Sequence, residues 1–166
     1  MVATNSIRAV CKKAVYDLIA EHAPSRADGT GPVAVFYGPT FRDLEDEVIW
    51  LGAIEGQMSN PTLAGGAPRV HRHDDFTLDV WIAVRNPIHD SYEESDTHCM
   101  TLVAAVEDAI VTSPGLTGAR TTAIDGVIHA TLGEFNGPSP FDLTDSGLGV
   151  FSAACLLKIE FRTRLT

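Results

Sequence analysis

The run VHRHDDF at residues 70–76 is where side-chain types and spacing come nearest to a chemical site. Alternate residues of a strand share a face, so His71 and His73 would point the same way with Asp75 beyond them. Imidazole and carboxylate together could ligate zinc or another divalent ion. Such a site would need further ligands, and His22, His89, His98 and His129 form no familiar spacing with the cluster. The run is therefore read as the polar start of a strand, ahead of a metal site on His71, His73 and Asp75. Cys99 beside His98 suggests a thiol nucleophile. Adjacent helix residues point about 100° apart, however, and Cys99 falls on an apolar stripe, which makes it a core thiol. The chain has 14 glycines but no G-x-S-x-G elbow, Walker A loop or dinucleotide fingerprint. The acidic runs at 43–47 and 90–96 lack the alternating oxygen ligands, central glycine and terminal glutamate of a calcium loop and read as solvated loops. The expectation is a protein without catalytic residues, bound metal or cofactor.

Composition agrees with a folded chain. The 166 residues are 45% hydrophobic and 20% charged, close to the globular average, and suffice for one domain without staples. Residues 1–166 are read as that single domain. A net charge of -10 makes the average surface repel phosphate backbones, which disfavours a nucleic-acid-binding module. A surface past which DNA slides without sticking would also be acidic. Cys11, Cys99 and Cys155 are odd in number, far apart and each inside an apolar run, so they are expected to be buried free thiols in a reducing compartment. The N-terminus has no continuous apolar region and no stretch approaches the roughly 18 apolar residues of a membrane span, so synthesis in the cytoplasm is expected.

The elements that would position these groups follow from periodicity. Asn5 or Ser6 would cap a first helix with Ile7, Val10, Cys11, Ala14, Val15 and Leu18 on one stripe, ending near Ala23 before Pro24. Residues 25–32 form a turn-rich loop, and 33–37 (VAVFY) a short strand. A second strand spans 47–58, with Val48, Trp50 and Gly52 on one side and Ile49, Leu51 and Ala53 on the other. Gly52 and Gly56 would mark bulges or close approach. Residues 59–68 (SNPTLAGGAP) cannot continue a strand.

In 76–85, Phe76, Leu78, Val80, Ile82 and Val84 alternate with Thr77, Asp79, Trp81, Ala83 and Arg85, which puts Trp81 on the face away from the core. A loop at 86–94 precedes a second helix capped by Ser95 or Asp96, with Cys99, Leu102, Val103, Val106 and Ile110 on its stripe and Pro114-Gly115 at its end. A strand at 121–132, a loop at 133–147 containing Pro138 and Pro140, and a closing strand at 150–165 complete the chain. The economical fold is α+β: a single mixed or antiparallel β-sheet, both helices packed on one face, and long Gly/Pro-rich loops. Trp50 and Trp81 are then large apolar groups on a strand face that an isolated sheet would leave partly open, where they either serve as contacts, aromatic side chains being enriched in contact patches, or are covered by a two-layer core.

This succession, an amphipathic helix, a short strand, DEVIWLGAIEG, a Gly/Pro-rich arm, DDFTLDVWIAV, a helix and two closing strands, resembles the tail terminator (tail completion) proteins of long-tailed bacteriophages. The region from VFYGP through DDFTLDVWIAV looks most like versions from phages of actinobacteria. The resemblance spans nearly the whole chain in element order and transfers no catalytic residue. It implies a homohexameric ring at the head-proximal end of the tail tube, which stops addition of the major tail protein and docks to the head connector or stopper protein. Genomic DNA would pass through its channel without specific binding, and the protein would reside in the virion tail or neck. Candidate assembly contacts are Trp50, Trp81, Leu63, Tyr92, Phe135 and Phe141, the loops 59–68, 86–94 and 133–147 being free to order on a neighbour. The rival expectations are another neck component, such as a connector or stopper, and a small metal-binding protein or enzyme using His71, His73 and Asp75.

Overall fold

A computed structural model describes residues 5–39, 45–59, 72–85, 91–117, 127–143 and 149–165. Its elements are α1 (Asn5–Glu21), β1 (Ala34–Phe36), β2 (Glu47–Ser59), β3 (Arg72–Val84), α2 (Tyr92–Thr112), β4 (Val127–Leu143) and β5 (Gly149–Leu165). The five strands form one mixed sheet in the order β1-β2-β3-β5-β4, with β1 parallel to β2 and every other pair antiparallel. Both helices pack on one face, so the protein is α+β as its periodicity predicts. α1 lies against β1 and β2, α2 against β3, β4 and β5, and the helices touch each other.

Strand alternation explains the single large core. Ile49 and Leu51 of β2, Phe76, Leu78, Val80, Ile82 and Val84 of β3, and Cys155, Leu157, Ile159 and Phe161 of β5 all turn toward the helices and are buried. Cys11, Ala14, Val15, Leu18 and Ile19 of α1 and Cys99, Leu102, Val103, Val106 and Ile110 of α2 meet them. Val10 does not join the stripe and is 44% exposed. It sits about 100° around the helix from the stripe's centre, and Ile19 serves instead. α1 also ends at Glu21, two residues before the expected Ala23.

β2 is irregular around Gly52, and at Gly56 the neighbouring strand comes close. The β2–β3 register shifts between Leu51 and Ile54, so Ile54 rather than Ala53 returns to the helix side and Ala53 is left exposed. A Cβ on Gly56 would stand 2.4 Å from Phe76 Cβ, closer than packed carbons come.

Three elements depart from the sequence reading. α2 begins at Tyr92, capped by Ser91 rather than by Ser95 or Asp96. Ser91 is extended (φ -142°, ψ 158°) and its hydroxyl accepts from the Glu94 N–H at 3.2 Å. Ser95 is instead buried in a hydroxyl chain: it donates to Ser91 O at 3.2 Å and lies 3.1 Å from Ser152 Oγ, which donates to Val84 O at 3.0 Å. The expected loop at 133–147 is strand as far as Leu143, because β4 is an edge strand. Alternate residues of an edge strand turn their N–H groups away from the partner, which accommodates Pro138 and Pro140. Its register with β5 shifts four times between Val127 and Phe141. The acidic run at 43–47 is not wholly solvated, since Glu47 is 1% exposed and held at two points. Ala27 N–H donates to its Oε1 at 2.8 Å, and His98 Nε2 is hydrogen-bonded to its Oε2 at 2.6 Å.

The loop between α1 and β1 closes on itself, as its turn residues predict. Val33 N–H donates to Pro24 O at 2.9 Å and Arg26 N–H to Gly31 O at 2.8 Å. Gly29 takes a left-handed backbone (φ 72°) that only glycine adopts without cost. The long loop at 59–68 beyond Ser59, and residues 86–90 of the loop before α2, lie outside the described residues.

Candidate assembly surface

The face of the sheet turned away from the helices has two halves. One is apolar: Val48, Trp50, Ala83 and Ala154 form a second buried cluster, with Phe36 and Trp81 packed against it. β1 puts Phe36 beside Trp50 in parallel register, and β2–β3 pairing puts Trp50 directly opposite Trp81, which in turn opposes Leu156 of β5. The two indoles stack with centroids 5.9 Å apart and an interplanar angle of 8°. Gly52 makes room for this, since a Cβ there would stand 3.2 Å from Trp81 Cδ1 and Nε1. Trp50 is 8% exposed and Trp81 half-buried, so the pair is one covered anchor and one partly open rim.

The other half of the same face is charged. Asp79 opposes Lys158, Thr77 opposes Glu160 and Asp75 opposes Arg162 along the β3–β5 ladder. Arg162 Nε lies 3.4 Å from Asp75 Oδ1, and Lys158 Nζ 3.5 Å from Glu134 Oε2. Partial burial raises the Asp79 carboxyl above the usual range; Lys158 opposes the shift, and Glu55 and Glu134 add to it. A shallow open depression of about 770 Å³ lies here, bordered by Glu55, Asp75, Thr77, His129 and Glu160. Of the charged groups that border it, Asp75 pairs with Arg162 across strands.

Within the VHRHDDF run the structure describes the side chains of Asp74, Asp75 and Phe76. Asp74 is buried, and Arg8 of α1 grips it with two hydrogen bonds, Nε to Oδ2 at 2.8 Å and Nη2 to Oδ1 at 2.6 Å. The same guanidinium lies 5.5 Å above the Phe76 ring, which stacks on Phe161 at 4.7 Å, and Thr163 Oγ1 donates to Asp74 O at 2.9 Å. Asp74 therefore ties the start of α1 to the sheet. Asp75 points to the opposite face, and His73 is placed by its backbone opposite Ser59 and Arg164. His71 lies outside the described residues, among which no group of three or more His, Cys, Asp or Glu side chains could hold a metal ion.

The remaining expected contacts are dispersed. Tyr92, at the first turn of α2, is 62% exposed, and Phe135 on β4 is 37% exposed opposite Leu157. Phe141 is paired with Phe151 toward the tip of the β4–β5 hairpin, and Leu63 lies outside the described residues. Among the expected contacts whose side chains are described, only Trp50 and Trp81 come together. Sequence reasoning missed Phe36 as their neighbour, because nothing in VAVFY specifies parallel pairing with β2. It missed the Arg8–Asp74 and Glu47–His98 ties for the same reason: both span more than fifty residues, and charge type alone names no partner. Comparison with protein-family models and with curated proteins finds no match for this chain.

Proposed function

We propose that this chain is a tail terminator of a long-tailed bacteriophage. It assembles as a ring on the head-proximal end of the tail tube, stops addition of the major tail protein and joins the tail to the head. The observation that carries the reading is the placement of the segments on which the resemblance rests. DEVIWLGAIEG and DDFTLDVWIAV form β2 and β3, neighbours at the centre of the sheet, and both helices lie on one side of them. The opposite side keeps the stacked tryptophans beside a charged ladder, a surface suited to contact rather than to catalysis. The net charge of -10 is in keeping with a channel that does not retain passing DNA.

The reading is tested by electron microscopy of virions carrying an epitope on this chain. Label at the junction of tube and head is expected, with overlong, headless tails when the gene is deleted. Tails of normal length joined to heads in the deletion would refute it, whereas cofractionation with isolated heads rather than isolated tails would identify a stopper. The contact surface is tested with Trp81→Ala and Tyr92→Ala, whose side chains are partly or largely exposed. Folded double-mutant protein that still joins tails to heads would remove both residues from the interface.

A further inference from the structure

Cys99 and Cys155, 56 residues apart in sequence, are brought together by the packing of α2 on β5. Both are fully buried, and their sulfurs lie 3.3 Å apart. A disulfide has its sulfurs at about 2.05 Å, so closing this pair takes a movement of about 1.2 Å. The fold already holds the two sulfurs in contact. Cys99 Sγ also lies 3.7 Å from Ile82 O, the residue paired with Cys155 across the β3–β5 ladder.

One side of the pair has thin cover. Gly137 of β4 is solvent-exposed, and a Cβ placed on it would stand 3.2 Å from Cys155 Sγ. A glycine backbone thus separates this sulfur from the edge of the sheet. The hydrogen bond to Cys155, and then burial, keep Cys99 in its protonated form, while the same bond favours the thiolate at Cys155. Cys11, on α1, is different: burial first, then the charge of Asp74, pushes it up to about 12.

We propose that Cys99 and Cys155 are an oxidisable dithiol, which hydrogen peroxide converts to a disulfide that fastens α2 to β5. The Cys155 sulfur attacks one peroxide oxygen and breaks the O–O bond, giving a sulfenic acid and, with the thiol proton, one water. The Cys99 sulfur then displaces the sulfenic oxygen, which leaves with the Cys99 proton as a second water. Two thiols and one peroxide become one disulfide and two waters.

The test uses the full chain carrying Cys11→Ser, exposed to hydrogen peroxide in native buffer. Intact mass is expected to fall by about 2 Da. A Cys99–Cys155 peptide should appear in the non-reducing map, and Tm should rise by roughly 5–10 °C, reversibly on reduction. A further Cys155→Ala change should abolish both the mass loss and the Tm rise. The inference is overturned if the native protein keeps its mass or gains only oxygen while the urea-unfolded protein forms the bridge readily. It is overturned equally if the Cys155→Ala variant responds as the parent does.

Discussion

Replacing Arg8 with methionine would leave the Asp74 carboxylate, fully buried, without its guanidinium partner. Breaking a buried ion pair by removing one partner costs about 3–5 kcal/mol. Because the Arg8 side chain is 23% exposed and water reaches the pair from that side, the lower end applies, about 3 kcal/mol. The reciprocal change, Asp74→Asn, should cost less, about 1–2 kcal/mol, since the guanidinium can turn to water and the amide keeps an acceptor. With a urea m-value of about 2 kcal/mol/M, the midpoints should fall by about 1.5 M and 0.5–1 M respectively. The double variant should lose less than the sum, because it no longer buries an orphaned carboxylate. Equilibrium urea unfolding followed by far-UV circular dichroism, at equal m-values, measures all three. If Asp74→Asn costs as much as Arg8→Met or more, the argument from asymmetric burial is wrong.

Two further outcomes follow from the open face of the sheet. Trp50→Ala should destabilise by about 3–5 kcal/mol, as deletion of a buried aromatic does, and Trp81→Ala by clearly less; thermal unfolding of the two variants gives the order. Asp79 sets a pH dependence of known sign. Its folded pKa lies above the ordinary 3.8, so its contribution to stability is fully present below that value and is lost as pH rises through the folded pKa. Asp79→Asn should therefore gain stability relative to wild type between about pH 3 and about pH 7, by well under about 1 kcal/mol because the site is partly solvated. A difference that shrinks over that range would refute the assignment.

How much of this was legible from sequence can be traced residue by residue. The alternation Phe76, Leu78, Val80, Ile82, Val84 fixes which side of β3 meets the helices, because a period of two admits one burial pattern. The same rule puts Trp50 and Trp81 on the other side. Capping was harder: Ser91, Ser95 and Asp96 are all competent caps, and the choice was made by Ser152, which holds Ser95 in the interior from 57 residues away. The strand at 127–132 is legible, but β4 beyond Leu132 is not, because Pro138 and Pro140 argue against a strand only where every N–H is needed, and nothing local announces an edge. Of the expected contact residues, the tryptophan pair was recoverable because β2 and β3 each carry a readable face. Phe36 was not, since its place depends on a three-residue strand that joins in parallel.

The prolines of β4 bear on more than local geometry. A sheet edge with a regular row of free N–H and C=O groups is a template on which a further strand can grow, and growth of that kind has no natural end. Here one edge is interrupted by Pro138, Pro140 and repeated register shifts, and the other is a strand of three residues. Among the described residues, neither outermost strand offers a long, regular ladder. Strand-by-strand stacking of copies on these two strands is thereby disfavoured relative to contact through side-chain surfaces, which a finite number of neighbours can satisfy.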